Sequence, residues 1–196
     1  MLGIIKKFFK QQYYLYLVSS ATRKFRWVKW GSNIKFYGKP IFSFSKEASI
    51  EIEDDVVFIN KTEYNYVGIF KPCSIAVRGK AKLKIGKGSG FSGVSIYCRK
   101  EIIIGENLTC GGNVFIWDTD FHPIKSDDRI KDDRSAIKNK PIKIGNNVFI
   151  GANSIILKGS IIENGAVIGA GSVVSGTIPG NEIWLGNSAR FFRKID

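Results

Sequence analysis

The chain has one histidine in 196 residues, three cysteines, and 17 acidic residues against 30 basic ones. Each shortage excludes something. One histidine rules out a metal centre built from several imidazoles, whose neutral nitrogens are the donors such a centre needs; no metal is expected. Cys73, Cys98 and Cys110 are odd in number and lack metal-ligand spacing, which argues against a disulfide framework and for a reducing compartment. No apolar run reaches the ~18 residues needed to cross a bilayer. The opening MLGIIKKFFKQQYYLYLVSS sets basic residues before an apolar patch, but Gln11, Gln12 and several tyrosines dilute it. It is read as retained rather than as a signal peptide, and the cytoplasm is the expected location. The acidic deficit leaves a net charge of +13, which favours phosphates, acidic glycans, nucleic acid or a negatively charged membrane face.

What is present is a repeat. From Ile144, every sixth residue is Ile144, Ile150, Ile156, Ile162, Ile168 and Val174, and the same step upstream gives Ile104, Cys110 and Ile116. In a chain that is 44% hydrophobic, nine apolar positions in step arise by chance roughly once in a thousand tries, so the period is read as structural. The following position is small in most cases: Gly105, Gly111, Gly145, Gly151, Gly169 and Ser175, as tight backbone corners require. Six residues suit a short extended segment and a corner. Three such segments close a triangular coil, and stacked coils form a solenoid around a column of Ile and Val. LKIG at 83–86, IIIG at 102–105 and IKIG at 142–145 each begin a new turn, provided that residues 122–141 loop out as extra chain. The expected division is an N-terminal basic and aromatic cap over 1–48, a repeat domain over 49–188 and a basic tail over 189–196.

IGNNVFIGANSIILKGSIIENGAVIGAGSVVSGTIPGNEIWLGNSARFFRKI resembles the hexapeptide-repeat acyltransferases, and DTDFHPI at 118–124 resembles the motif of their galactoside, maltose and polysaccharide O-acetyltransferase branch. The resemblance implies a left-handed parallel β-helix, an exception to the right-handed crossover rule, assembled as a homotrimer. It further implies acetyl-CoA as acyl donor and a sugar or glycan hydroxyl as acceptor.

His122 sits where the hexad run breaks, with Asp118 and Asp120 at alternate positions before it and Pro123 after it. An imidazole ordinarily titrates near pH ~6.5 and can take a proton from an attacking hydroxyl at neutral pH. The resemblance makes His122 the general base and a backbone N–H in the IGAN corner, that of Ala152, the oxyanion donor. Ser92 is assigned to the acceptor, as an alternative to a plain corner serine. Asp118 and Asp120 either hold the imidazole and bind a sugar hydroxyl, or simply form the turn at the loop entrance. CoA is expected along Gly151, Ala152, Gly169, Ala170, Ser175 and Gly176, with Arg190 and Arg193 meeting its phosphates; the glycines serve the coil in either case.

Trp27 and Trp30 in KFRWVKW interleave with basic residues. Three roles compete for the N-terminal segment: capping the open end of the solenoid, peripheral contact with the inner face of a membrane, and, least favoured, single-stranded nucleic acid. Two rivals to a sugar O-acetyltransferase remain. One is an N-acetyltransferase of an amino sugar or small amine; the other is a solenoid scaffold without activity, which has no reason to interrupt its repeat with DTDFHPI.

Overall fold

The structure, a computed structural model, describes residues 2–195, with side chains from residue 11 onward. Met1 and Asp196, the outer ends of the expected cap and tail, lie outside the described residues.

The six-residue period becomes a three-sided prism. Ile144, Ile150, Ile156, Ile162, Ile168 and Val174 are all 2% exposed or less, and successive members fall on successive faces. Sheet 1 has seven strands and includes Ile142–Ile144; sheet 2 has eight and includes Phe149–Ile150; sheet 3 has six and includes Ile155–Ile156. Every strand but the last of sheet 2 pairs in parallel with its counterpart one coil away, as in Ile102 with Ile142 and Ile150 with Ile168. Like side chains therefore stack into columns, and the result is a left-handed parallel β-helix. The small residues at the corners answer to contact between coils. A Cβ on Gly111 would lie 2.5 Å from the Ala152 nitrogen, and one on Gly151 2.4 Å from the Ala170 nitrogen. No larger residue fits either place without moving backbone.

Coils begin well before residue 49. Lys29–Trp30 pairs with Ser49–Ile52 on sheet 1, while Lys35–Tyr37 and Ile41–Phe44 start sheets 2 and 3. Residues 29–48 are thus the first coil, not a cap. The hexad signature fails there because phenylalanine replaces isoleucine in the interior: Phe36, Phe58 and Phe91 follow one another up sheet 2 with ring centroids 5.6 and 5.4 Å apart. A second interruption hides the period as well. Residues 60–73, between Val57–Ile59 and Ser74–Val77, leave the prism with a single 3-10 turn at Thr62–Tyr64.

The N-terminal end is closed by a helix, α1 (Leu2–Lys24), which lies against Lys35–Tyr37. It contributes Leu17 to the core, followed by Phe25 in the turn after it. At the other end the described part of the expected tail, residues 189–195, does not trail away: Arg190–Lys194 folds back antiparallel to Glu182–Leu185 and covers the last edge of sheet 2, satisfying backbone groups that would otherwise be open to pairing. Among the described residues no helix is long and apolar enough to cross a membrane.

Candidate active site

The large interruption leaves the prism at the edge between sheets 3 and 1, after the strand Phe115–Trp117, and rejoins it at Ile142–Ile144. Its stem is zipped. The Lys140 amide donates to the Asp118 carbonyl at 2.9 Å, the Asp120 amide to the Lys138 carbonyl at 3.1 Å, and Thr119 bridges Asn139 in antiparallel sense. Beyond the stem lie a short helix, α2 (Ser126–Ile130), and a 3-10 turn at Arg134–Ala136. The loop is therefore a ribbon anchored at both ends on a rigid wall.

Where the stem opens, Phe121 has φ of 62°, a left-handed conformation that a bulky side chain adopts at a cost of about 1–3 kcal/mol. Its surroundings hold it there. The Phe121 amide donates to Thr119 Oγ1 at 3.3 Å, and the ring packs 4.9 Å from Tyr97 and 5.4 Å from Trp117, centroid to centroid. That turn projects the next residue outward. The His122 amide donates to the Asp120 carbonyl at 2.7 Å, while its imidazole is exposed and takes no hydrogen bond or ion pair from the described residues. It borders a cleft of about 180 Å³ with Tyr97, Arg99, Thr119, Phe121, Pro123, Asp132, Arg134 and Ile137. An unpartnered imidazole on a fixed turn beside a cleft is available to exchange a proton with whatever enters.

The carboxylates do other work than expected. Asp118 is fully buried and binds no acceptor: its carboxylate receives the amides of Arg99, Lys100 and Glu101 at 2.7, 2.7 and 2.8 Å and the Cys98 thiol at 3.6 Å. Burial pushes the Asp118 carboxyl up, with the three backbone donors pulling the other way. It pushes the Cys98 thiol up too, helped by the adjacent carboxylate. Asp118 thus ties the corner that carries Arg99 to the foot of the loop. Asp120 does not touch the imidazole either; it pairs with Lys158 at 2.5 Å and fastens the loop to the next coil.

Ser92 does not reach the cleft. It lies in the strand Gly90–Ser92 on sheet 2, 7% exposed. Ala152 sits at the corner between sheets 2 and 3, and its N–H has no acceptor among the described residues. Gly151, Gly169 and Ala170 share that corner, stacked coil on coil. Ser175 and Gly176 fall on the other edge, between Val173–Val174 on sheet 3 and Thr177–Ile178 on sheet 1, so the expected cofactor residues do not form one groove in a single chain. Arg190 lies opposite Leu185, at the Gly169 end of sheet 2, whereas Arg193 is opposite Ile183, further along the strand. Within one chain the width of sheet 3 separates His122 from Ala152. Among the described residues no group of three or more His, Cys, Asp and Glu is placed to hold a metal ion.

Tyr97, Arg99 and Arg134 escaped the sequence reading. Tyr97 had a signal, since aligning SIYC at 95–98 under the coil containing FIW at 115–117 sets it beside Trp117, as the register does; Arg99, just beyond that strand, had none. Arg134 sits in aperiodic loop and had none.

Residues 141–176 match the bacterial transferase hexapeptide (six repeats) family. Among solved structures it is similar to a maltose O-acetyltransferase from Clostridium difficile 630, at 36% identity over 58% of this chain and 59% of that one, with a TM-score of 0.52. It is also similar to a galactoside acetyltransferase in complex with coenzyme A, at 25% identity over 86% of this chain and 65% of that one, with a TM-score of 0.56. An N-acyltransferase from Bacillus cereus in complex with dTDP and coenzyme A, 18% identical over 90% of this chain and 89% of that one at a TM-score of 0.68, shares the fold. The chain spans less than two thirds of the length of the first two. No curated protein matches it. The resemblance drawn from DTDFHPI and the IGAN repeat, to the maltose and galactoside branch, is borne out.

Proposed function

We propose that the protein transfers an acetyl group from acetyl-CoA to a sugar hydroxyl, in the building of a surface polysaccharide, with His122 as general base. The observation that carries this reading is the unpartnered imidazole, projected by the Phe121 turn into a cleft floored by aromatic rings. Support comes from the coenzyme A bound by the galactoside acetyltransferase neighbour. In the reaction His122 removes the proton as the acceptor oxygen attacks the thioester carbonyl. The Ala152 N–H stabilises the oxyanion, and the imidazolium returns its proton to the departing CoA sulfur.

His122 and the Ala152 corner lie on different edges of the prism, so a complete site pairs the 3–1 edge of one copy with the 2–3 edge of the next. A closed ring of such head-to-tail contacts around a three-sided prism is a homotrimer. The work would be done in the cytoplasm, close to the membrane: Tyr13, Leu15 and Tyr16 on α1 are 44%, 58% and 59% exposed, and a chain of net charge +13 is drawn to anionic headgroups.

The test follows release of the CoA thiol by the full chain with acetyl-CoA and a panel of neutral and amino sugars. Cys73, Cys98 and Cys110 are buried with thiols pushed up by burial, Cys73 to about 11, so the protein's own sulfurs stay silent. Turnover should fall ~10²–10⁴-fold in His122→Ala. A variant as active as the parent would remove His122 from the chemistry.

A further inference from the structure

The cleft beside His122 carries charge that transfer to a neutral sugar does not require. Arg99 is exposed on its rim and has no acidic partner among the described residues. Arg134 faces it from the loop, its Nε 3.3 Å from Asp132 Oδ2. The other nearby carboxylates are already answered, Asp118 by three backbone amides and Asp120 by Lys158. One coil below Arg99, in register through Val77 and Cys98, Arg78 reaches over the Tyr97 ring at 5.8 Å while donating to the Ser43 hydroxyl at 2.8 Å. The one carboxylate on the cleft lining, that of Asp132, is paired with Arg134. Among the described residues the Arg99 guanidinium alone stands unanswered here, beside two tilted aromatic rings.

Guanidinium forks match phosphate and carboxylate oxygens in pairs, and such charge-assisted bonds are stronger than those to hydroxyls. An aromatic floor suits the apolar face of a sugar ring. We infer that the acceptor is an anionic sugar, its phosphate or carboxylate held by Arg99 with Arg134 while the ring lies on Tyr97 and Phe121 and a hydroxyl faces His122. The assignment of the hydroxyl rests on the acetyltransferase reading above; the assignment of the anion does not, because binding can be measured without turnover.

Calorimetric titration of the full chain with glucose, glucose 1-phosphate, glucuronate and inorganic phosphate separates the cases. Lys35→Gln, the loss of an exposed cation on sheet 2, controls for the general positive charge. At least one anionic sugar should bind about ten-fold or more tightly than glucose. That advantage should vanish in Arg99→Gln, persist in Lys35→Gln and exceed the affinity for inorganic phosphate. The phosphate and uronate arms tell the two anions apart. Equal affinity for neutral and anionic sugars, or an advantage untouched by Arg99→Gln, overturns the inference. Anion-selective binding without thiol release would uphold the inference and sink the transferase reading. Acetyl transfer to neutral sugars without discrimination would do the reverse.

Discussion

Phe121 holds a left-handed backbone that suits glycine, and the reason is its ring. Wedged between Tyr97 and Trp117, it fixes the turn that aims His122. Phe121→Ala keeps the β-carbon and loses both contacts, so the imidazole should wander. Since a misplacement of about 1 Å can cost 10²-fold, kcat for thiol release should fall by about that factor, with far less change in the KM for acetyl-CoA. Phe121→Tyr, which keeps the ring, should retain most of the rate, and equal loss in both variants would contradict the account. Asp118 acts through structure. Asn at 118 offers an amide –NH₂ where a carboxylate oxygen now accepts, leaving at least one half-buried backbone N–H without its partner. Urea unfolding of Asp118→Asn should show a loss of about 1–3 kcal/mol, and an unchanged midpoint would mean that the corner is held by something else. The His122 motif was legible because it breaks a repeat. The roles of its neighbours were not: D-x-D before a histidine reads the same whether the carboxylates face a ligand, a backbone corner or a lysine 38 residues on, as Asp120 faces Lys158.

At the scale of elements, the coils from residue 82 onward were legible, because Ile and Val columns with small corner residues repeat at a constant step. The first coils were not. Phe36, Phe42 and Phe58 pack against one another there in place of an Ile and Val column, and the excursion at 60–73 breaks the count. Helix α1 carries two faces. Leu17 and Tyr14 turn to the prism, the latter in ring contact with Tyr37, whereas Tyr13, Leu15 and Tyr16 are exposed. Replacing those three with serine leaves the packed face intact. In flotation with vesicles containing anionic lipid, the full chain should rise with the lipid and the triple variant should largely stay behind, more so at high salt. Co-flotation of both to the same extent would remove α1 as the contact.

For the whole molecule, the two proposed half-sites lie on different edges of one prism, and the account requires that they meet between copies. His122→Ala removes the base from one half. Ala170→Trp, at an exposed corner stacked on Gly151, fills the proposed thioester groove of the other with little cost to folding. Each variant alone should be inactive. If a site draws its halves from two neighbouring copies, oligomers assembled from an equal mixture should recover roughly a quarter of the parent's rate of thiol release, because half of the bases meet half of the intact grooves at random. If both halves belong to one chain, every site in the mixture keeps one defect. The mixture would then stay as inactive as its components, and the shared site would be refuted.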